Sequence, residues 1–221
     1  MRLSDYPQPS VATDVVIFTI KNKDLKVLLI KRKLDPFKGK WAIPGGFIGI
    51  DEPLDSAAKR ELIEETGVDA DYLEQLYTFG NPKRDPRGRV ISVAYMALVN
   101  SEKIELKAAS DASDAQWFSV NKIPDIGFDH KQILKYATKR LRWKFEYTTV
   151  AFSMLPDKFT MAQIKVVYDI VFNKKFDKRN FSKKILSLDI LQEEGIDSDV
   201  SYRPPMLYSL KKGIGDIIEI I

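Results

Sequence analysis

Three glutamates, Glu61, Glu64 and Glu65, crowd one short stretch, Arg60-Glu61-Leu62-Ile63-Glu64-Glu65-Thr66-Gly67-Val68. Their spacing of i, i+3 and i+4 places all three carboxylates on one face of a helix. Like charges so placed repel by roughly 0.2–0.5 kcal/mol per pair, so a bare helix gains nothing from the arrangement. A hard divalent cation reverses that sign. Mg2+ or Mn2+ takes oxygen ligands and is commonly held by a few carboxylates together with substrate phosphates. Such an ion would polarise a diphosphate and acidify an attacking water. Arg60, four residues before Glu64, can brace a carboxylate through its planar fork. The plainer reading of a glutamate-rich helix is a solvated face.

The elements that must position these groups are legible nearby. Pro53 suits a first helical position, Ala57, Ala58, Leu62 and Ile63 favour or tolerate a helix, and Gly67 supplies a left-handed stop. A helix over 53–66 follows, with Leu54, Ala58 and Leu62 as its apolar stripe. Upstream stand Gly46 and Glu52. From Gly46 to Val68 every constrained position of G-x5-E-x7-R-E-U-x-E-E-x-G-U, with U apolar, is filled. This pattern resembles the signature of the Nudix hydrolases. The resemblance implies an α/β (α+β) fold, an α/β/α sandwich around a mixed sheet. It also implies a Mg2+ (or Mn2+) site made by Glu61, Glu64 and Glu65, one of them serving as base, with Arg60 orienting them. Glu52 would close the loop or hold a second ion, and Gly45 and Gly46 would lie against substrate.

At 221 residues the chain can bury a real core, and 44% hydrophobic with 30% charged residues is the balance of a globular protein. Runs such as Val15–Ile20 and Val27–Ile30 are too short to span a bilayer, and the opening MRLSDYPQPS lacks the apolar run of a signal peptide. A cytoplasmic location without a membrane partner is the expectation. The absence of cysteine excludes disulfides, thiolate metal sites and cysteine nucleophiles. The single histidine, His130 in FDHKQ, reads as a capping or surface residue.

Val15–Ile20 and Lys26–Lys31 are β-rich runs joined by the hairpin signal Lys21-Asn22-Lys23-Asp24. Trp41 to Gly46 is a short extended piece entering a glycine turn, Val90–Val99 and Gln116–Val120 are further strands, and a helical pattern covers 129–146. Trp41 itself reads as core rather than as an adenine platform. The loop Gly80–Arg89 carries Lys83, Arg84, Arg87 and Arg89 among two prolines. Arg84, Arg87 and Arg89 could bind a pyrophosphate or carboxylate bidentately, or the loop could be solvated with an internal Arg–Asp pair. Its wording resembles the loop of Nudix enzymes and regulators that handle ADP-ribose.

Composition shifts near Ala151–Pro156, which predicts a Nudix domain over 1–150 and a second domain over 151–221. Thr160 can cap a helix bearing Met161, Ile164, Tyr168 and Val171, and Asp177 a second one bearing Phe181, Ile185 and Leu188. The far side of the second helix is basic. Residues 174–184 hold six Lys or Arg against Asp177 alone. Ile190–Leu191, the turn-rich EEGIDSDVS and Pro205–Leu210 read as two strands and a loop. Helix, turn, helix and hairpin is a winged helix-turn-helix layout, in which Lys178, Arg179, Asn180, Lys183 and Lys184 would face DNA. The other reading is a helical extension that supports a dimer. From Leu155-Pro156 to Asp177-Lys178-Arg179-Asn180-Phe181, the chain resembles Nudix-related transcription regulators of NAD or sugar metabolism. That resemblance implies a homodimer on a near-palindromic double-stranded operator and a sensor of ADP-ribose or a related nucleoside diphosphate sugar. With its glutamates intact, the domain could also cleave ADP-ribose to AMP and ribose 5-phosphate. A dedicated ADP-ribose pyrophosphatase with a dimerising C-terminal domain is the alternative.

Overall fold

The structure is a computed structural model that describes residues 5–70, 72–100, 112–198, 202–214 and 217–220. The first four residues of the N-terminal segment and residues 199–201 of the EEGIDSDVS loop lie outside the described residues. The chain forms two compact units. One comprises Met1–Phe18, Lys26–Leu98 and Ile104–Thr138, the other Thr19–Leu25, Val99–Lys103 and Lys139–Ile221.

The larger sheet is mixed. Strand β1 (Ser10–Lys21) turns into β2 (Asp24–Arg32) through Asn22 and Lys23, whose φ values of 56° and 57° suit the primed turn that matches strand twist. Then come β3 (Trp41–Ala42), β4 (Gly45–Phe47), β5 (Tyr72–Phe79), β6 (Val90–Leu98) and β7 (Ala112–Ser119). The order is β3-β2-β1-β6-β5, with β4 added to β1 and β7 to β2. Strands β1 and β6 run parallel, from Ser10 opposite Val90 to Phe18 opposite Leu98, while β2–β7 and β5–β6 are antiparallel. Val15–Phe18 and Ala94–Leu98 are buried on successive residues, so both faces of these central strands are covered. Strand β5 was not expected. Only Leu76 of its eight residues is buried, and an edge strand with so few buried positions carries little apolar signal.

Helix α1 spans Leu54–Thr66 and buries Ala57, Ala58 and Leu62. Pro53 is its N-cap, in extended conformation, rather than its first helical residue, and Gly67 ends it at φ 69° as expected. Helix α2 covers His130–Tyr147. No helix among the described residues is long and apolar enough to cross a membrane.

In the second unit, α3 (Met161–Phe172) and α4 (Lys178–Ser187) precede the hairpin of β9 (Leu191–Ile196) and β10 (Met206–Leu210), and β10 also pairs with the short β8 (Phe159–Thr160). Thr160 and Gln163 form a reciprocal capping box, Asn173 closes α3 in left-handed conformation, and the Asp177 carboxylate accepts from Asn180 N at 2.8 Å. The centre is aromatic. Tyr168 lies 5.3 Å from Phe145 and 5.2 Å from Phe181, and its hydroxyl donates to Phe145 O.

Candidate functional site

Helix α1 presents its glutamates to a cleft of about 310 Å3, whose walls include Gly45, Gly46, Arg60, Glu61, Glu64 and Glu65. Glu61 and Glu65 are buried, whereas the Glu64 side chain is 54% exposed. Arg60 is the hub. Its Nε and Nη2 donate to the two oxygens of Glu52 at 2.7 and 2.9 Å, and its Nη1 donates to Glu61 Oε1 at 2.7 Å and Glu64 Oε2 at 3.0 Å. These partners, Glu52 foremost and then Glu61, raise the guanidinium pKa, so it stays charged. The Arg60 bonds and a backbone bond from Gly49 hold Glu52 down at about 2. Burial pushes the Glu61 carboxyl above its ordinary value, and Arg60 offsets this only in part. Glu65 accepts from Gly45 N at 2.7 Å. A side chain at position 46 could not coexist with this arrangement, because a Cβ there would sit 2.3 Å from Glu61 Oε1.

The arginines of the 80–89 loop divide by role. Arg84 turns inward, its side chain 4% exposed, donating twice to Asp129 (3.0 and 2.8 Å) and once to Asp14 (3.1 Å). Burial alone would lower its pKa, but the two aspartates prevail and raise it. Arg87 is 44% exposed and pairs with Asp85 inside the loop through Nε and Nη2. Its guanidinium also lies over Phe47, 5.1 Å from the ring centre. Arg89 is exposed and donates to Gly80 O, closing the base of the loop. The internal Arg–Asp pair expected as one reading of this loop is thus present, alongside a buried ionic anchor that the spacing did not foretell.

His130 departs from the capping or surface role that its local context predicts. It is 3% exposed, not a surface residue. Its Nδ1 accepts from Ile43 N at 2.9 Å, and Nε2 stands 3.4 Å from Asp14 Oδ1. Burial lowers its pKa against the pull of Asp14 and Asp129, which fits a neutral ring with the proton on Nε2. Trp41 is half-buried, its ring packed edgewise on Phe118 at 4.7 Å.

Helix α4 is polarised. Phe181 and Ile185 are buried, while Lys178, Arg179, Asn180, Lys183 and Lys184 are all exposed. The Asp177 cap and the Tyr168–Phe181 contact fix which way this basic face points within its unit.

Residues 10–137 match the NUDIX domain, and residues 151–210 match the NrtR DNA-binding winged helix domain. Across 209 residues the chain is 34% identical to the ADPR responsive transcriptional repressor NtrR of Acinetobacter baylyi, which is 93% of this chain and 83% of that protein. The chain belongs to the Nudix family, in its NrtR branch. It superposes on the crystal structure of Shewanella oneidensis NrtR complexed with a 27mer DNA with a TM-score of 0.80 at 34% identity, covering 91% of this chain and 93% of that one. The Nudix part alone is 44% identical over 139 residues to an ADP-ribose pyrophosphatase of Methanocaldococcus jannaschii, 63% of this chain and 77% of that protein.

The carboxylate face suits a hard divalent cation in donor type. It offers oxygen ligands only, two of them on buried side chains, with Gly46 leaving the space that Glu61 occupies. Among the described residues no three acidic or histidine side chains converge on one point, and Arg60 bridges Glu61 to Glu64. What the spacing had not revealed is the buried set of Asp14, Arg84, Asp129 and His130. It links strand β1, the basic loop and the start of α2, and its members lie up to 116 positions apart in sequence.

Proposed function

We propose that this protein is a transcription regulator whose Nudix domain, residues 1–150, binds ADP-ribose or a related nucleoside diphosphate sugar. Its winged helix domain, residues 151–221, holds a double-stranded operator. The observation that carries this reading is similarity along 93% of the chain to an ADPR responsive repressor, in a chain that also keeps Glu52, Arg60, Glu61, Glu64 and Glu65. In this reading Lys178, Arg179, Asn180, Lys183 and Lys184 contact DNA, and a cytoplasmic homodimer is the working form.

The retained carboxylates support a second activity, Mg2+- or Mn2+-dependent cleavage of the diphosphate. Glu61, Glu64 and Glu65, with Glu52 beside them, would hold the ion. When bound, it would supply Lewis-acid polarisation of the phosphates and a more acidic water. The protein's own contributions are distinct from that. Arg60 aligns three carboxylates, Gly45 N–H fixes Glu65, and one of the glutamates would take a proton from the attacking water. Exposed Arg87 faces ligand phosphate. Buried Arg84 and the Arg89–Gly80 closure hold the loop that carries it. The 44% identity to an ADP-ribose pyrophosphatase favours a second reading, an enzyme whose C-terminal domain only supports dimerisation.

Gel shift of the purified full chain on DNA from its own upstream region, with and without ADP-ribose, separates the readings. A regulator binds that DNA in a ligand-dependent way; a dedicated enzyme does not bind it. AMP release from ADP-ribose tests turnover, and Glu64→Gln should lower it by roughly 100-fold.

A further inference from the structure

A buried carboxylate stands where a helix least favours one. Asp169 lies in the last turn of α3, at the negative end of the helix dipole, with its side chain only 6% exposed. A well-packed apolar residue could fill the same place, and replacing buried ion pairs by such residues is often neutral or stabilising. The charge therefore calls for a reason other than packing.

Its contacts supply one. Asp169 Oδ1 accepts from Phe176 N at 2.9 Å, seven residues on, and the Asp169 carbonyl accepts from Lys174 N at 3.0 Å. Oδ2 meets Lys165 Nζ at 2.7 Å, one turn back along α3, and Lys175 Nζ at 3.6 Å. These partners outweigh burial and hold the carboxyl below its ordinary value, so it is ionised. A single residue thus takes two backbone N–H groups of the 173–177 turn that joins α3 to α4. Asn173 opens this turn in left-handed conformation at φ 49°. Phe176 lies near its end, with its ring 5.8 Å from Phe172 of α3 and 5.8 Å from Phe181 of α4. Asp177 follows at once as the α4 cap, and Lys178 and Arg179 begin the helix. The Asp169–Phe176 bond therefore acts one residue before the point that sets the direction of the basic face.

The sign of the charge is also informative. Lys174, Lys175, Lys178 and Arg179 are exposed around it, and an acid among cations weakens a surface that binds phosphate. We propose that Asp169 is a positioning residue for DNA binding: its carboxylate oxygen fixes the 173–177 turn, and with it the direction in which α4 offers its basic face to backbone phosphates. The inference rests on the reading of α4 as the DNA-facing helix and adds what aims it.

Two variants separate the oxygen from the charge. Asp169→Asn keeps an acceptor for Phe176 N–H, whereas Asp169→Leu keeps bulk and helix propensity without one. Each removes the same negative charge, which by electrostatics alone should tighten DNA binding equally in both. Positioning predicts that they part. On the full chain, anisotropy titration of a duplex from its own upstream region over a range of salt should show Asp169→Asn binding at least as tightly as wild type. Asp169→Leu should bind roughly fivefold or more weakly, with a salt dependence flatter by about one unit, as one lost phosphate contact implies. Stoichiometric titration gives the active fraction of each protein. A leucine variant that binds as tightly as the asparagine one overturns the positioning role. So does a leucine variant whose whole loss is a smaller active fraction at the wild-type salt slope, and so does an asparagine variant weakened at full active fraction. In each of these cases wild-type binding leaves the regulator reading in place. Wild-type protein that binds no DNA removes both.

Discussion

Arg60 holds one residue of the preceding loop and two of its own helix, and so converts mutual repulsion among carboxylates into a fixed geometry. Its tie to Glu52 has a pH signature. Glu52 titrates at about 2 in the fold, below its ordinary value of 4.5. A depressed carboxyl contributes stability that is fully present above the unfolded value and is lost as pH falls through the folded one. The stability gap between wild type and Glu52→Gln should therefore be constant above pH 4.5 and shrink between 4.5 and 2, as read by urea denaturation across that range. Gly46 tests the geometry itself. Gly46→Ala forces the Glu61 carboxylate to move, and a displacement near 1 Å at a catalytic group costs roughly 100-fold in rate. Loss of AMP release with a nearly unchanged melting temperature is the expected result. Full activity would show that Glu61 is not where the chemistry happens.

Helices α3 and α4 act as a pair because each is capped by its own sequence and packed through one face. Removing the α3 capping box by Thr160→Ala should cost about 1 kcal/mol in chemical denaturation. Any effect of that change on operator binding should be indirect. Substitutions on the exposed face of α4 behave differently. Arg179→Ala and Lys183→Ala should leave stability within about 0.5 kcal/mol of wild type. They should weaken operator binding and flatten its salt dependence by roughly one unit for each phosphate no longer neutralised. If the double variant binds DNA like wild type at every salt concentration, another element reads the operator.

Coupling between ligand and DNA belongs to the whole chain and obeys linkage. A ligand shifts DNA affinity only if it binds the DNA-competent and incompetent forms unequally, and the factor must be the same in both directions. With Glu64→Gln protein, which spares the effector from hydrolysis, ADP-ribose should weaken operator binding by roughly 5–100-fold, a coupling of ~1–3 kcal/mol. Operator DNA should weaken ADP-ribose binding by the same factor. Anisotropy titrations in both directions check the equality. Equal DNA affinity with and without saturating ligand favours the dedicated enzyme.

Much of this protein is written locally and was legible for that reason. Helix α1 and its Gly67 stop, the Asn22–Lys23 hairpin turn, and the Thr160 and Asp177 caps all depend on residues within a few positions of one another. The carboxylate face follows from helical period alone, and the basic face of α4 from the same period with Phe181 and Ile185 turned inward. Other features exist only once distant segments meet. Edge strand β5 is defined by pairing with β6, and only Leu76 among its residues is buried. Arg84 has the same local setting as Arg87, a basic residue in a proline-bearing loop. Nothing in that loop tells that Asp14 and Asp129 will bury one and leave the other exposed. His130 looked like a surface residue because the partners that satisfy it, Asp14 and Ile43 N, come from segments more than 80 positions away. Burial and electrostatic pairing are sums over neighbours in space, and tertiary packing supplied those neighbours.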